Sequence, residues 1–331
     1  MLLLIVKRLF AMVIILLALS AIMFGLQRIS NTNPIRAMLG ANASKTAVLA
    51  EEHKLGLNKP LPVQYFNYVD NVIHGNLGIS YRTRRPVAKD IMDFLPATME
   101  LTFYALIISV VLGTALGVIS ATEQKGAWLL RFFMFSGSSA PVFLLAILGL
   151  ILFYRDLGWL PATGRLGAIN SASGYRGFLT LDAIVHGRFH ILLGALRHLI
   201  LPASCIALGP AVSIGRVLRA SLVQSLRSDY ILTARAKGLS EMAVVFKHGL
   251  RNSLGPMLSM IGLQAGLMLT GVVVVEEIFS WPGIGSYIGQ SIPVGDFPAI
   301  SGVVLVLGVI YVVINAVVDI VQTVVDPRIK S

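Results

Sequence analysis

Residues 199–220 read LILPASCIALGPAVSIGRVLRA, residues 221–254 read SLVQSLRSDYILTARAKGLSEMAVVFKHGLRNSL, and residues 256–279 read PMLSMIGLQAGLMLTGVVVVEEIF. The two outer pieces each exceed the roughly 20 apolar residues that a helix needs to cross about 30 Å of hydrocarbon. The piece between them carries five Lys and Arg against two acids. Two spans joined by a basic connection therefore set the pattern. Four more runs of the same kind lie at 9–27, 100–121, 132–154 and 302–325. The sequence predicts an all-α integral membrane protein with six transmembrane helices, lipid being its first partner.

Composition agrees. Of 331 residues 56% are hydrophobic and only 13% charged, which excludes a disordered chain and a soluble globular one. The formal charge of +11 raises the question of nucleic acid, but Lys and Arg sit in the polar segments between the apolar runs. No basic recognition helix is left over, so nucleic acid is not an expected partner. The lone Cys205 excludes an internal disulfide.

Topology follows from the basic residues in the short loops. With the N-terminus inside, the cytoplasmic segments hold thirteen of them, including Lys7, Arg8, Lys125, Arg131, Arg227, Arg235, Lys237, Lys247 and Arg251, whereas 280–301 holds none. Both termini are expected in the cytoplasm. The first run starts like a signal peptide but lacks a small-residue cleavage pattern, and reads as a retained anchor over 1–28. Breakers at Asn33-Pro34, Lys59-Pro60 and Arg85-Pro86 mark 29–98 as a small extracytoplasmic segment. Residues 99–325 form a five-helix domain and 326–331 a cytoplasmic tail.

The centres of the six runs contain no Asp, Glu, Lys, Arg or His, so they offer no protonatable relay. They carry instead Gly113-x-x-x-Gly117 and Gly262-x-x-x-Gly266, the spacing of close helix packing. Gly255-Pro256 marks a break between the basic connection and the span after it. Energy for any transport must come from elsewhere.

Segment 221–254 is the place where it would enter. Ser228 or Asp229 caps a helix running through Lys237, Gly238 ends it in the left-handed conformation, and Ser240 with Glu241 starts another. Arg235 and Lys237 complement the dipole of the first helix. Ala234, Ala236 and Gly238 give a small, water-exposed face that another protein can approach closely.

Asp229-Tyr230-x-x-Thr233-Ala234-Arg235-Ala236-Lys237-Gly238-Leu239-Ser240 resembles the cytoplasmic coupling loop of bacterial ABC importer permeases of the dipeptide/oligopeptide/nickel group. LNKPLPVQY (57–65), Gly75 to Ser80, Arg85-Pro86-Val87, the run Val275 to Gly285, Asp296-x-Pro298 and Asp326-Pro327-Arg328 resemble the first of that group's two permease subunits. Leu232-Thr233-Ala234 stands where the broader importer pattern has Glu-Ala-Ala, and Arg251 where it has proline. Both departures are similar to the peptide/nickel group and unlike sugar importers.

The resemblance implies a type I importer fold and a permease subunit moving short peptides by alternating access. It implies four kinds of partner: a second, homologous permease in a heterodimer, two cytoplasmic ATPases docked at Gly238, an extracytoplasmic solute-binding protein, and lipid of the bacterial inner membrane. A phosphate-binding loop needs Gly-Lys-Ser/Thr, and no Gly-Lys occurs. ATP and magnesium are therefore expected on the partners, with no cofactor on this chain. Nickel, glutathione and oligosaccharide are the alternative cargoes, and a stand-alone channel or secondary transporter the alternative class.

Other residues offer less. Asp182, His186 and His190 at i, i+4, i+8 would line one helix face, with His198 nearby, as a weak metal constellation. Glu276, Glu277 and Trp281 are expected at the outer gate or the binding-protein contact, and Trp128, Trp159 and Trp281 at membrane interfaces. No Gly-x-Ser-x-Gly elbow occurs and no catalytic residues are assigned; the chain is not expected to be an enzyme.

Overall fold

The computed structural model describes residues 2–29, 44–54, 57–122, 128, 140–166 and 177–325. Among these the chain is helical, and the only extended pairing is an isolated bridge between Ile79 and Pro86. The elements are α1 (Leu2–Ile29), α2 (Lys45–Lys54), α3 (Leu61–Ile73), α4 (Val87–Ala121), α5 (Val142–Gly149), α6 (Leu179–Val185), α7 (Phe189–Leu226), α8 (Asp229–Ala236), α9 (Glu241–Ala243), α10 (Leu250–Ile278), α11 (Ile284–Ser291) and α12 (Phe297–Val325). π-helical stretches follow α5 (Leu150–Asp156) and join α9 to α10 (Val244–Gly249).

Among the described residues five helices are long and apolar enough to cross a membrane: Met12–Ile29, Val87–Ala121, Phe189–Leu226, Glu241–Ile278 and Phe297–Gln322. The expected third span, 132–154, is described only from 140 onward, as α5 and its π-helical continuation. Three boundaries differ from expectation. α4 starts at Val87 and α7 at Phe189, ahead of the apolar runs that begin at 100 and 199. Pro256 makes no break, since α10 runs through it. Prolines 96, 202 and 210 also lie inside helices, as membrane spans tolerate where neighbouring helices and hydroxyls re-satisfy the backbone.

The chain divides into two compact units, 1–96 with 283–312 and 97–282 with 313–331. In the first, Val87 and Ile91 of α4 pack with Ile284 and Tyr287 of α11 and Ala299 and Val303 of α12. The buried Asp296 carboxylate gathers Ser80 Oγ at 2.5 Å, Tyr81 N at 3.0 Å and Arg82 N at 3.2 Å. Gly78, at φ +86°, lies with Pro298 against its Cα, and its carbonyl accepts from Val87 N at 3.0 Å. Buried Asp90 accepts from Thr83 Oγ1 at 2.5 Å and Tyr287 Oη at 3.2 Å and pairs with Arg85 at 3.0 Å. The segments Gly75–Ser80, Arg85–Val87 and Asp296–Pro298, far apart in sequence, thus meet around two carboxylates. Burial and the Asp296 charge push the Tyr81 hydroxyl up to about 12.

The second unit is a helix bundle around α7 and α10. Small residues set its approach distances. A Cβ on Gly113 would stand 2.9 Å from Ile214 Cβ, and one on Gly117 the same distance from Leu218 Cβ. A Cβ on Gly262 would meet Val318 Cβ at 2.9 Å. Gly271, in contrast, has open space around it. Leu101 and Ala105 of α4, Leu199, Leu201 and Ile206 of α7, and Met268, Val272 and Val275 of α10 form its main core.

Candidate functional site

The connection 221–254 folds as a helical hairpin on the ends of α7 and α10. Ser228 is the N-cap residue of α8 at φ −81°, ψ 154°, but its hydroxyl donates to Ser225 O at 2.5 Å and the cap is backbone only. α8 ends at Ala236, one residue earlier than expected. Gly238 follows at φ +76°, where any side chain is strained, and its N–H donates to Arg235 O at 2.9 Å. Ser240 then caps the next helix, its Oγ accepting from Ala243 N at 3.4 Å. Across the turn the Arg235 guanidinium grips the Glu241 carboxylate with two bonds, 2.8 and 3.1 Å. That bond lowers the Glu241 pKa and raises that of Arg235.

The hairpin is seated by an apolar plug. Ile231 and Ala234, one turn apart on α8, are buried with Val244 against Leu226 at the end of α7. Ala234 is therefore a core contact, 7% exposed, where an open small-residue face was expected; Ala236 and Gly238 do face outward. Beneath the plug, Gly249 lets the π-helical stretch close on α7: a Cβ there would meet Leu222 Cδ1 at 2.9 Å and Leu226 Cδ2 at 3.0 Å. The Tyr230 hydroxyl bonds Ser225 Oγ of α7 at 2.5 Å. Burial alone would raise its pKa, but the hydrogen bonds to Ser225, Asn252 and Ser228 bring it below the ordinary tyrosine value. Tyr230 so ties α8 to both α7 and α10.

What the hairpin leaves outside is apolar and basic. Tyr230, Leu232, Leu239, Met242 and Phe246 are exposed, together with Asp229, Thr233, Arg235 and Lys237. Leu232, Met242 and Phe246 were missed by the motif reading. Their signal was large apolar residues that no helix period assigns to a core. These apolar side chains lie exposed among charged ones of both signs.

At the far ends of the same helices the expected gate residues separate. Glu276 is fully buried and accepts from Thr98 Oγ1 at 2.6 Å. Trp281 is 1% exposed, so it is not the interfacial ring expected. Its Nε1 donates to Ala97 O at 3.0 Å, and the Arg165 guanidinium lies 5.9 Å from its ring centroid. Arg165 also pairs with buried Glu100, whose other oxygen accepts from Thr180 N and Oγ1 at 2.6 Å. With Gly164 N donating to Phe279 O at 2.9 Å, these bonds bind the 157–166 loop to α4, α6 and the end of α10. Only Glu277 of the expected group is exposed. Trp128 and Trp159 are exposed too.

The histidine face does not form. α6 ends at Val185, and Gly187 at φ +64° separates it from α7, so Asp182 and His190 lie on different helices. His186 instead folds back on Asp182, 3.1 Å from its carboxylate, and His198 Nδ1 bonds Gly194 O at 2.9 Å.

Long apolar helices carrying a seated helical hairpin at their ends define a multi-pass membrane protein. The family described as binding-protein-dependent transport system inner membrane component matches residues 113–331, and its N-terminal companion matches 1–102. The chain belongs to this family, whose fold is that of ABC importer permeases. It is 39% identical over 326 residues to the dipeptide transport system permease protein DppB of Alkalihalophilus pseudofirmus, covering 98% of each chain. To the probable D,D-dipeptide transport system permease protein DdpB of Escherichia coli it is 37% identical, covering 98% of this chain and 96% of the other. To the glutathione transport system permease protein GsiC of Escherichia coli it is 34% identical, with 98% of both covered.

Proposed function

We propose that this chain is one of two permease subunits of an ATP-driven importer that carries short peptides across the bacterial inner membrane. The hairpin Asp229–Ser240 carries the reading. Its exposed surface docks into a groove of a cytoplasmic ATPase, and its buried Ile231 and the Tyr230 hydrogen bonds join that surface to α7 and α10. Both chain termini and the hairpin lie in the cytoplasm in this reading.

The mechanism is alternating access. Two partner ATPases bind ATP and magnesium and close; each hairpin moves with its ATPase, and the helices it is seated on tilt with it. The pathway opens outward to a docked solute-binding protein, and hydrolysis returns it. The second wall of the pathway is a homologous permease. This chain contributes no catalytic group. Glu277, exposed at the outer end of α10, is its contact for the binding protein, while Glu276 and Trp281 hold the outer loop beneath it.

Peptide cargo is supported by the relatives named for dipeptide transport, and the relative named for glutathione transport keeps that molecule as the second reading. Tagging the chain, extracting it gently and identifying its companions tests the assignment. The expected result is two ATPases, a second permease and a binding protein whose bound ligand is a short peptide. Recovery of the chain alone, with uptake persisting after ATP depletion, would overturn it.

A further inference from the structure

Beneath the hairpin, a single hydroxyl joins three elements. Ser225 is the last residue but one of α7, and its Oγ lies 2.5 Å from Tyr230 Oη of α8. It donates at 3.3 Å to Gly249 O, where the π-helical stretch passes into α10. Because the one proton of Ser225 points to Gly249, Tyr230 is the donor of the shorter bond. The chain of bonds therefore runs from α8 through α7 to the start of α10. The Ser225 carbonyl adds a further hold, since it accepts from Ser228 Oγ at 2.5 Å.

The approach is built for this contact. A side chain of one helix reaches the backbone carbonyl of another only where the two touch closely, and Gly249 permits it: a Cβ there would collide with Leu222 and Leu226, which flank Ser225 on α7. The Leu250 amide donates to Val245 O, five residues back, so the chain makes a wide turn just where the bond falls. Such turns are rare and concentrate at functional sites.

The fold does not depend on the bond. Gly249 O also accepts from Ser253 Oγ at 2.9 Å, and Tyr230 is also bonded by Asn252 and Ser228. Removing the Ser225 hydroxyl leaves neither group without a partner, and such a loss costs far less than one that strands a buried polar atom. What the hydroxyl adds is connection. The plug of Ile231, Ala234, Val244 and Leu226 is apolar and non-directional, so it resists separation of hairpin and spans more than sliding between them. Hydrogen bonds weaken steeply when bent, and they resist the sliding.

We propose that Ser225 is a positioning residue of transport, its hydroxyl fixing the hairpin against both α7 and α10 so that a movement of the hairpin reaches both spans. The proposal rests on the docking of an ATPase at the hairpin.

The test uses the complete transporter in proteoliposomes and counts labelled dialanine taken up per ATP hydrolysed. Ser225→Ala should lower that ratio several-fold while the ATPase content and the thermal midpoint of the complex stay unchanged, and Ser225→Thr, which keeps the hydroxyl, should restore it. An unchanged ratio in Ser225→Ala overturns the proposal and leaves ATPase docking standing. A lower ratio that comes with a lower thermal midpoint, and that Ser225→Thr does not recover, makes Ser225 merely structural and overturns it too. If the unmodified complex takes up no dialanine with ATP, the importer reading fails and the proposal falls with it. Density maps of the unmodified complex with and without ATP give a reading independent of any variant. Contact of Ser225 with both Tyr230 and Gly249 in the two states supports the joint, and its loss in either removes it.

Discussion

Gly238 has open space on every side and a backbone at φ +76°. A side chain there meets no neighbour within this chain, so its cost is conformational: about 1–2 kcal/mol for a residue forced into the left-handed region. Asparagine tolerates that region and a β-branched residue does not. Gly238→Asn should leave the hairpin folded and Gly238→Val should unfold its turn, as hydrogen exchange at the Leu239 amide would report. If the surface docks an ATPase, both variants reduce uptake, because both place bulk where the partner approaches; undiminished uptake by Gly238→Asn would sink the docking role. Arg235 and Glu241 close the same turn. Glu241 has its pKa lowered in the folded hairpin, so the pair's contribution is full above the ordinary glutamate value near about 4.3 and is lost as pH falls through the lower, folded value. Protection of the hairpin amides should therefore stay flat from pH 8 to pH 5 as far as this pair is concerned. The buried partners Glu100 and Arg165 behave otherwise. Removing one leaves an unpaired buried charge, at a cost of about 3–5 kcal/mol. Arg165→Met should lower the thermal midpoint sharply, and Glu100→Gln added to it should restore a large part, measured on the same purified complex.

At the level of elements, two contacts fix how closely helices pack. Gly262 of α10 faces Val318 of α12 so closely that an added methyl must push Val318 aside, and overpacking of this kind costs about 1–3 kcal/mol. Gly262→Ala should destabilise the transporter, and Val318→Ala should rescue it; no rescue would mean that the strain lies elsewhere. Ile231 is the plug between α8 and the span ends. Ile231→Ala, worth about 2–5 kcal/mol in a packed core, should loosen the seat without altering the exposed surface proposed to dock the ATPase. ATPase subunits should still co-purify while transport per ATP hydrolysed falls, and unchanged stoichiometry of transport would refute the plug's role. The hairpin was legible in sequence because its caps are local: Ser240, Glu241 and Gly238 announce themselves within a few residues. The early starts of α4 and α7 were not. α4 opens through Asp90, Asp93 and Glu100, which read as surface, yet Asp90 is satisfied by Tyr287 and Glu100 by Arg165, partners far away in the chain. Likewise Trp281 has the amphipathic ring of an interface residue, and only the fold reveals that Ala97 and Arg165 surround it.

For the whole molecule, if energy enters through partner ATPases as proposed, a reconstituted pair of permeases without ATPases should move no peptide down or against a gradient. Adding the ATPases, the binding protein and ATP should start uptake, and leakage before that addition would argue for a channel. The division of the chain has a separate consequence for its biogenesis. The carboxylate of Asp296 collects Ser80, Tyr81 and Arg82 across more than two hundred residues of intervening chain. A ribosome delivers α1 and the 80–82 loop first, and the residues that close around that loop last. Until α11 emerges, the loop at 80–82 has no acceptor for its amides and α4 lacks the packing of Tyr287. The first part of the protein to be made is thus the last to be finished, and a chain truncated before residue 283 should be recognised by membrane proteases through its unpaired 80–82 loop, although α7 and α10 can already pack on each other.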